Sequence, residues 1–182
     1  MESSHAIPES HPLHRLFRGL TEHAFMTELG IGDPPLVGYV AELLAGFVPS
    51  AAVWRLRDPQ GRPLTAVTAM VAAAEAADDT ARRRECHRHV GDYTLFWTGV
   101  YPEALRRLRS IFRKDHFIDY CAQGKRSYYI ASTFEDDPYC DEAPVLRRLS
   151  EEFEVCAYGL SQVRREWEKQ PIAPPWQPPG MS

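Results

Sequence analysis

Apolar residues recur at helical spacing along most of the chain. Leu13, Leu16, Phe17, Leu20 and Ala24 predict a first helix from about residue 11 to Leu29. Ser10 suits the N-cap ahead of Pro12, and Gly30 suits the stop. Asp33 then caps a second helix that opens with Pro34 and Pro35. Its Leu36, Val37, Val40, Leu43, Leu44, Phe47 and Val48 are nearly continuous, the mark of a helix buried on most sides, and Pro49 ends it. Val53-Trp54-Arg55-Leu56-Arg57 alternates imperfectly and leads into the turn chemistry of Asp58-Pro59-Gln60-Gly61, which reads equally as a short β-hairpin or an extended loop.

Alanine dominates residues 65–77 and predicts a third helix. That helix either continues or breaks near Asp78-Asp79-Thr80, where Asp79 would cap a fourth running to about Val100; Pro102 opens a fifth with the segment EALRRLRSIFRK. A sixth spans about His116 to Thr133, followed by an acidic loop over 135–144. The final helix, 144–168, carries the stripe Val145, Leu149, Phe153, Cys156, Leu160, Val163 and Trp167. The pattern therefore predicts an all-α fold. It is a single compact domain of five to seven helices over 11–168, with a short β-hairpin near 53–64 as an open alternative. Residues 1–10 are expected to form a flexible arm, and 169–182 a disordered proline-rich tail with five prolines in fourteen residues. Helices one and two, the 80–100 helix and the 144–168 helix are expected to supply the core.

Composition narrows the class without choosing a function. The 182 residues are 44% hydrophobic and 25% charged, ordinary for a globular protein. A net charge of −4 argues against a dedicated nucleic-acid binder. The N-terminal residues lack the apolar run of a signal peptide, and no apolar stretch approaches the ~18 residues of a membrane span. A cytoplasmic location is the expectation. Cys86, Cys121, Cys140 and Cys156 form no Cys-x-x-Cys pair and read as reduced, partly buried thiols.

Four constellations hold candidate chemistry. Glu85, His89 and Asp92 fall at i, i+4 and i+7 of the fourth helix and share a face beside the core. His23, Glu42 and Glu75 are candidates to complete a shell, and a bundle interior with several carboxylates and imidazoles is the setting of dimetal chemistry with Fe, Mn or Zn. The simpler account pairs Glu85 with Arg88 or His89 at the surface and gives His89 and Asp92 one structural hydrogen bond. Arg106, Arg107, Arg109, Arg113 and Lys114 make a basic run. It suits phosphate, but internal pairing with the acidic loop is the preferred account. Tyr93, Trp97 and Tyr128 suit the wall of an aromatic ligand pocket, or plain core packing. Trp176, flanked by Pro175 and Pro178, suits a docking peptide, because polyproline II loses little entropy on binding. No nucleophile elbow, phosphate-binding loop or haem-attachment motif is present.

The phrase Gly91-Asp92-x-x-Leu95-Phe96-x-x-Gly99-x-x-Pro102, with Ser127-Tyr128-Tyr129 downstream, resembles a pattern of an uncharacterised bacterial all-helical family. The resemblance covers about 85–130. It implies a helical fold, and it brings no activity, ligand or catalytic residue with it. The leading functional expectation is a non-catalytic helical interaction or accessory protein that binds another protein through its surface and through residues 169–182. A metal-dependent helical-bundle enzyme is the alternative, and a small-ligand sensor with an aromatic pocket a further one.

Overall fold

In the computed structural model, residues 11–47, 56–111 and 119–171 are described, the side chains of 107–111 excepted. The architecture is all-α. Among these residues stand eight α-helices: α1 Pro12–Glu22, α2 Pro34–Phe47, α3 Val67–Glu75, α4 Thr80–Val100, α5 Pro102–Ile111, α6 Tyr120–Ser132, α7 Ala143–Glu151 and α8 Phe153–Glu168. One more helix than the upper expectation arises because the segment 144–168 breaks at Glu152, where ψ reaches 27°. The break carries Phe153 into the core against α6. An ideal Cβ on Gly124 would stand only 2.4 Å from the Phe153 ring. Tertiary packing decides this kink, and the local sequence favours an unbroken helix.

The turn signals act as their chemistry requires. Asp33, Asp79 and Asp119 each accept a backbone N–H of the first turn they precede. The first helix is capped by His11 rather than Ser10, its Nδ1 accepting from Leu13 N at 3.1 Å. Ser10 itself lies outside the described residues. The α1 helix continues as a π-helical turn over His23–Glu28 and stops at Gly30, whose φ of +68° favours glycine. Its inward face is Phe17, Thr21, Ala24 and Phe25 with His14, while Leu13, Leu16 and Leu20 are only partly buried. The helix is thus rotated relative to the expected stripe, because Phe17 stacks on Trp167 of α8 at 4.8 Å between ring centroids.

Residues 56–64 form a tight turn with a single antiparallel bridge, Arg57 to Pro63, and no strand is present among the described residues. The Asp58 carboxylate holds it together by accepting from Gln60 N, Arg62 N and Arg62 Nε. Residues 53–55 lie outside the described set.

Helix α4 is the hub. It packs most extensively on α6, then on α8 and α3, with smaller contacts to α5 and α2. Its residues from His89 to Trp97 are all buried, so this helix must be surrounded. The core draws on α1, α2, α4, α7 and α8 as expected, and also on α6, whose Tyr128 is fully buried. Close approach of α4 and α8 depends on Gly99. A Cβ there would stand 2.7 Å from Leu160 Cβ and 2.9 Å from the Ala157 carbonyl oxygen. That carbonyl is backbone within α8 and cannot swing aside. Pro102 opens α5 immediately beyond.

Gly99→Ala sets a helix-propensity gain of up to ~1 kcal/mol against an overpacking cost of ~1–3 kcal/mol. With a backbone atom in the way, overpacking wins. The variant is expected to lose about 1–2 kcal/mol in urea denaturation.

Candidate functional site

The most concentrated polar arrangement lies on α4 between α2, α6 and the loop before α7. Asp92 Oδ1 accepts two phenolic hydroxyls, from Tyr39 on α2 at 2.7 Å and from Tyr128 on α6 at 2.8 Å. Gly91 makes room for the second. A Cβ there would fall 2.5 Å from Tyr128 Cδ1. Burial pushes the Asp92 carboxyl above the usual carboxylate range, while Arg88 and the two phenols pull it the other way. Burial, and then the Asp92 charge, push both phenols up, so they stay protonated donors at neutral pH.

One turn earlier on α4, two guanidinium groups share two carboxylates. Arg88 Nη2 lies 3.1 Å from Glu85 Oε2, and its Nη1 lies 3.4 Å from Glu142 Oε1. Arg84 is 1% exposed and pairs with Glu85 at 2.5 Å and with Glu142. Its guanidinium also sits 4.0 Å over the Tyr139 ring. Burial works against the cation on Arg88, but the charges of Asp92, Glu85 and Glu142 outweigh it and raise its pKa. A buried guanidinium persists only where it is paired and hydrogen-bonded. Both are, and the pairing ties the loop before α7 to the hub helix. The arrangement is a hydrogen-bonded anchor with its charges neutralised in place.

The six candidate metal ligands are not brought together. Glu85 is engaged by Arg84 and Arg88. His89 is buried with its ring between Phe47 and Tyr93, at 5.9 and 6.2 Å between centroids. Asp92 is committed to the two tyrosines. His23 is exposed, 3.6 Å from Glu28. Glu42 is 58% exposed, with Oε1 2.8 Å from His14 Nε2. It lies on the outer side of α2 because Val40, Ala41, Leu43 and Leu44 take the inner side. Glu75 is exposed on α3. Among the described residues no three His, Cys, Asp or Glu side chains form a group able to hold a metal ion, so Fe, Mn or Zn finds no ligand set there.

The aromatic candidates belong to the core. Tyr128 packs on Phe153, and Tyr93, Trp97 and Tyr101 form a run of ring contacts along α4 with Phe96 beside them. Tyr93 donates its hydroxyl to the Thr65 carbonyl at 3.2 Å. A cleft of about 300 Å³ opens nearby, beside Thr98, Leu105, Tyr120 and Cys121, without these rings in its wall. Arg106 is exposed at its edge. The side chains of Arg107 and Arg109, and all of Arg113 and Lys114, lie outside the described residues, as do Pro175, Trp176 and Pro178.

All four cysteines are free thiols. Burial pushes Cys121 up to about 11 and Cys156 up to about 12, and raises Cys86 as well. Cys140 is exposed and raised chiefly by its hydrogen bond to Asp137. None carries the lowered pKa of an activated nucleophile. No described helix is long and apolar enough to cross a membrane.

Comparison with known proteins finds no matching family model, curated protein or solved structure. The resemblance rests on the Gly91 to Pro102 phrase and Ser127-Tyr128-Tyr129 alone.

Sequence reasoning singled out Asp92 and Tyr128 but missed Tyr39, Arg84 and Glu142. Tyr39 had one available signal, as the sole hydroxyl on a helix whose only other polar side chain is Glu42. Glu142 had none, since the acidic loop offers five carboxylates of equal appearance.

Asp92→Ala removes the acceptor of both phenols and is expected to cost about 2–4 kcal/mol in thermal or urea unfolding. Asp92→Asn keeps an acceptor oxygen and is expected to cost less. Equal losses for the two variants would show that the shared acceptor is not what matters.

Proposed function

We propose that this protein is a non-catalytic helical interaction module that binds another protein through its surface and its proline-rich tail. The observation carrying this reading is the outer face of α8. Val155 and Tyr158, three residues apart and on one side of the helix, are 45% and 55% exposed. Large apolar side chains exposed on one helix face offer a surface that a partner can cover. In sequence α8 is followed by residues 169–182, where Trp176 stands between proline pairs. A proline-rich segment with one large aromatic is suited to docking, since its backbone gives up little freedom on binding.

The polar residues lend support from the other side. Asp92 is taken by Tyr39 and Tyr128, and Arg84 and Arg88 by Glu85 and Glu142, all within the fold. Their geometry explains them as an anchor that keeps the helices in register.

The test is affinity capture with the full chain, a chain lacking 172–182, Trp176→Ala and the double variant Val155→Ser with Tyr158→Ser. Helix content by circular dichroism is expected to be unchanged in all four. At least one protein held by the full chain is expected to be lost from the deletion and from Trp176→Ala, and weakened at least about tenfold, some 1.4 kcal/mol, in the double variant. An identical set of captured proteins across all four would overturn the reading.

A further inference from the structure

We propose that the outer face of α8 pairs, antiparallel, with the same face of a second copy of this chain, making the protein a weak symmetric dimer. The proposal rests on the reading of that face as a surface a partner covers, and it names the partner. Val155, Tyr158, Gln162 and Arg165 follow one another at intervals of three, four and three residues. That spacing runs along one side of a helix and is the seam by which two helices pair. Val155 and Tyr158 are the large exposed apolar side chains of α8, Gln162 is half-buried and Arg165 is exposed. The stripe therefore lies open along the helix.

Charge chooses the occupant and its direction. Glu151, Glu152 and Glu154, all exposed, stand where α8 begins, and Arg165 and Lys169, also exposed, stand where it ends. Glu154 is held by Lys125 and Lys169 by Glu166 within the chain. Glu151, Glu152 and Arg165 form no ion pair among the described residues. The stripe is thus acidic at one end, apolar in its middle and basic at the other. A parallel copy would set acid on acid and base on base. An antiparallel copy sets each end on its opposite, and a two-fold axis near the level of Leu160 makes the two end contacts identical.

In that register Val155 of one copy lies under the aliphatic stem of Arg165 of the other, and Tyr158 lies beside Gln162. The Arg165 guanidinium then reaches past the valine toward Glu151 and Glu152, the two carboxylates left unpaired. The sixteen residues of α8 span about 24 Å. A seam of that length buries well under the ~800 Å² per partner of a standard stable interface, so the dimer is weak, with a Kd on the order of 100 μM. Each dimer carries two copies of residues 169–182, so loss of pairing also weakens any protein held by both.

Sedimentation velocity on the full chain, from about 5 μM to about 1 mM, tests this directly. The mass is expected to rise from 20.7 kDa toward twice that value. Three variants are each expected to raise the dissociation constant at least about tenfold: Val155→Ser with Tyr158→Ser, Arg165→Glu, and Glu151→Lys with Glu152→Lys. All five side chains are exposed, so helix content is expected to stay unchanged. Mixing the Arg165→Glu chain with the Glu151→Lys, Glu152→Lys chain is expected to restore the dimer, because acid at both ends of one copy then meets base at both ends of the other. A parent protein still monomeric at the highest concentration, a dimer untouched by the substitutions, or a mixture that stays monomeric would each overturn the pairing. A monomeric chain whose Val155→Ser, Tyr158→Ser variant still loses captured proteins sinks the second copy and leaves the interaction module standing. A dimer with an identical captured set in every variant sinks the module and leaves the pairing.

Discussion

One carboxylate oxygen joins three helices. Asp92 Oδ1 takes a hydroxyl from α2 and another from α6 while its backbone belongs to α4. A carboxyl group removed from water is tolerated only if its lone pairs are filled, so this atom sets the rotation of all three helices about their axes. Turning α2 by one residue would carry Tyr39 away and bring an apolar neighbour to the charge. The paired arginines continue the same constraint toward the loop before α7. Glu142 has to reach Arg84 and Arg88 for either cation to remain inside. Apolar packing gives α4 its surroundings. The polar chain along one side of it selects which of many similar packings is adopted.

Small residues make that geometry reachable. Gly91 lets the Tyr128 ring lie on the α4 backbone, Gly99 brings α8 close, and Gly124 and Gly159 admit Phe153 and Phe25. Each lies inside a helix, where glycine is unfavourable by about 1 kcal/mol relative to alanine. The loss is offset where an aromatic ring fills the space that a methyl group would take. Large rings set against missing side chains, rather than an even distribution of leucines, give this core its specificity.

The element pattern was legible because it depends on local rules. Asp33, Asp79, Gly30 and Pro102 mark boundaries through hydrogen bonds and backbone preferences that act within four residues, and they hold in the structure. What failed to appear in the sequence depended on distance in space. The kink at Glu152 exists because Phe153 has a place on Gly124. The rotation of α1 exists because Phe17 has a partner in Trp167. The same division runs through the candidate site. Spacing put Glu85, His89 and Asp92 on one helix face and offered Arg88 or His89 as the partner of Glu85, of which Arg88 is found, but it paired Asp92 with His89 where the structure gives it Tyr39 and Tyr128. It could not show that Tyr39 and Glu142 would arrive from elsewhere to occupy those groups, nor that His23, Glu42 and Glu75 would face outward.

The stack of Phe17 on Trp167 bears on the order in which the chain organises itself. It joins helices near opposite ends of the described chain, and Phe25 likewise reaches across to Gly159. Closing so long a loop is entropically the most expensive contact in the fold. During synthesis, α1 and α2 leave the ribosome before α8 and can pair with each other, yet the surfaces of Phe17 and Phe25 lack their α8 cover until it follows. Until α8 emerges, the nascent chain thus carries an unfinished amphipathic hairpin, with a corresponding need for protection against premature association.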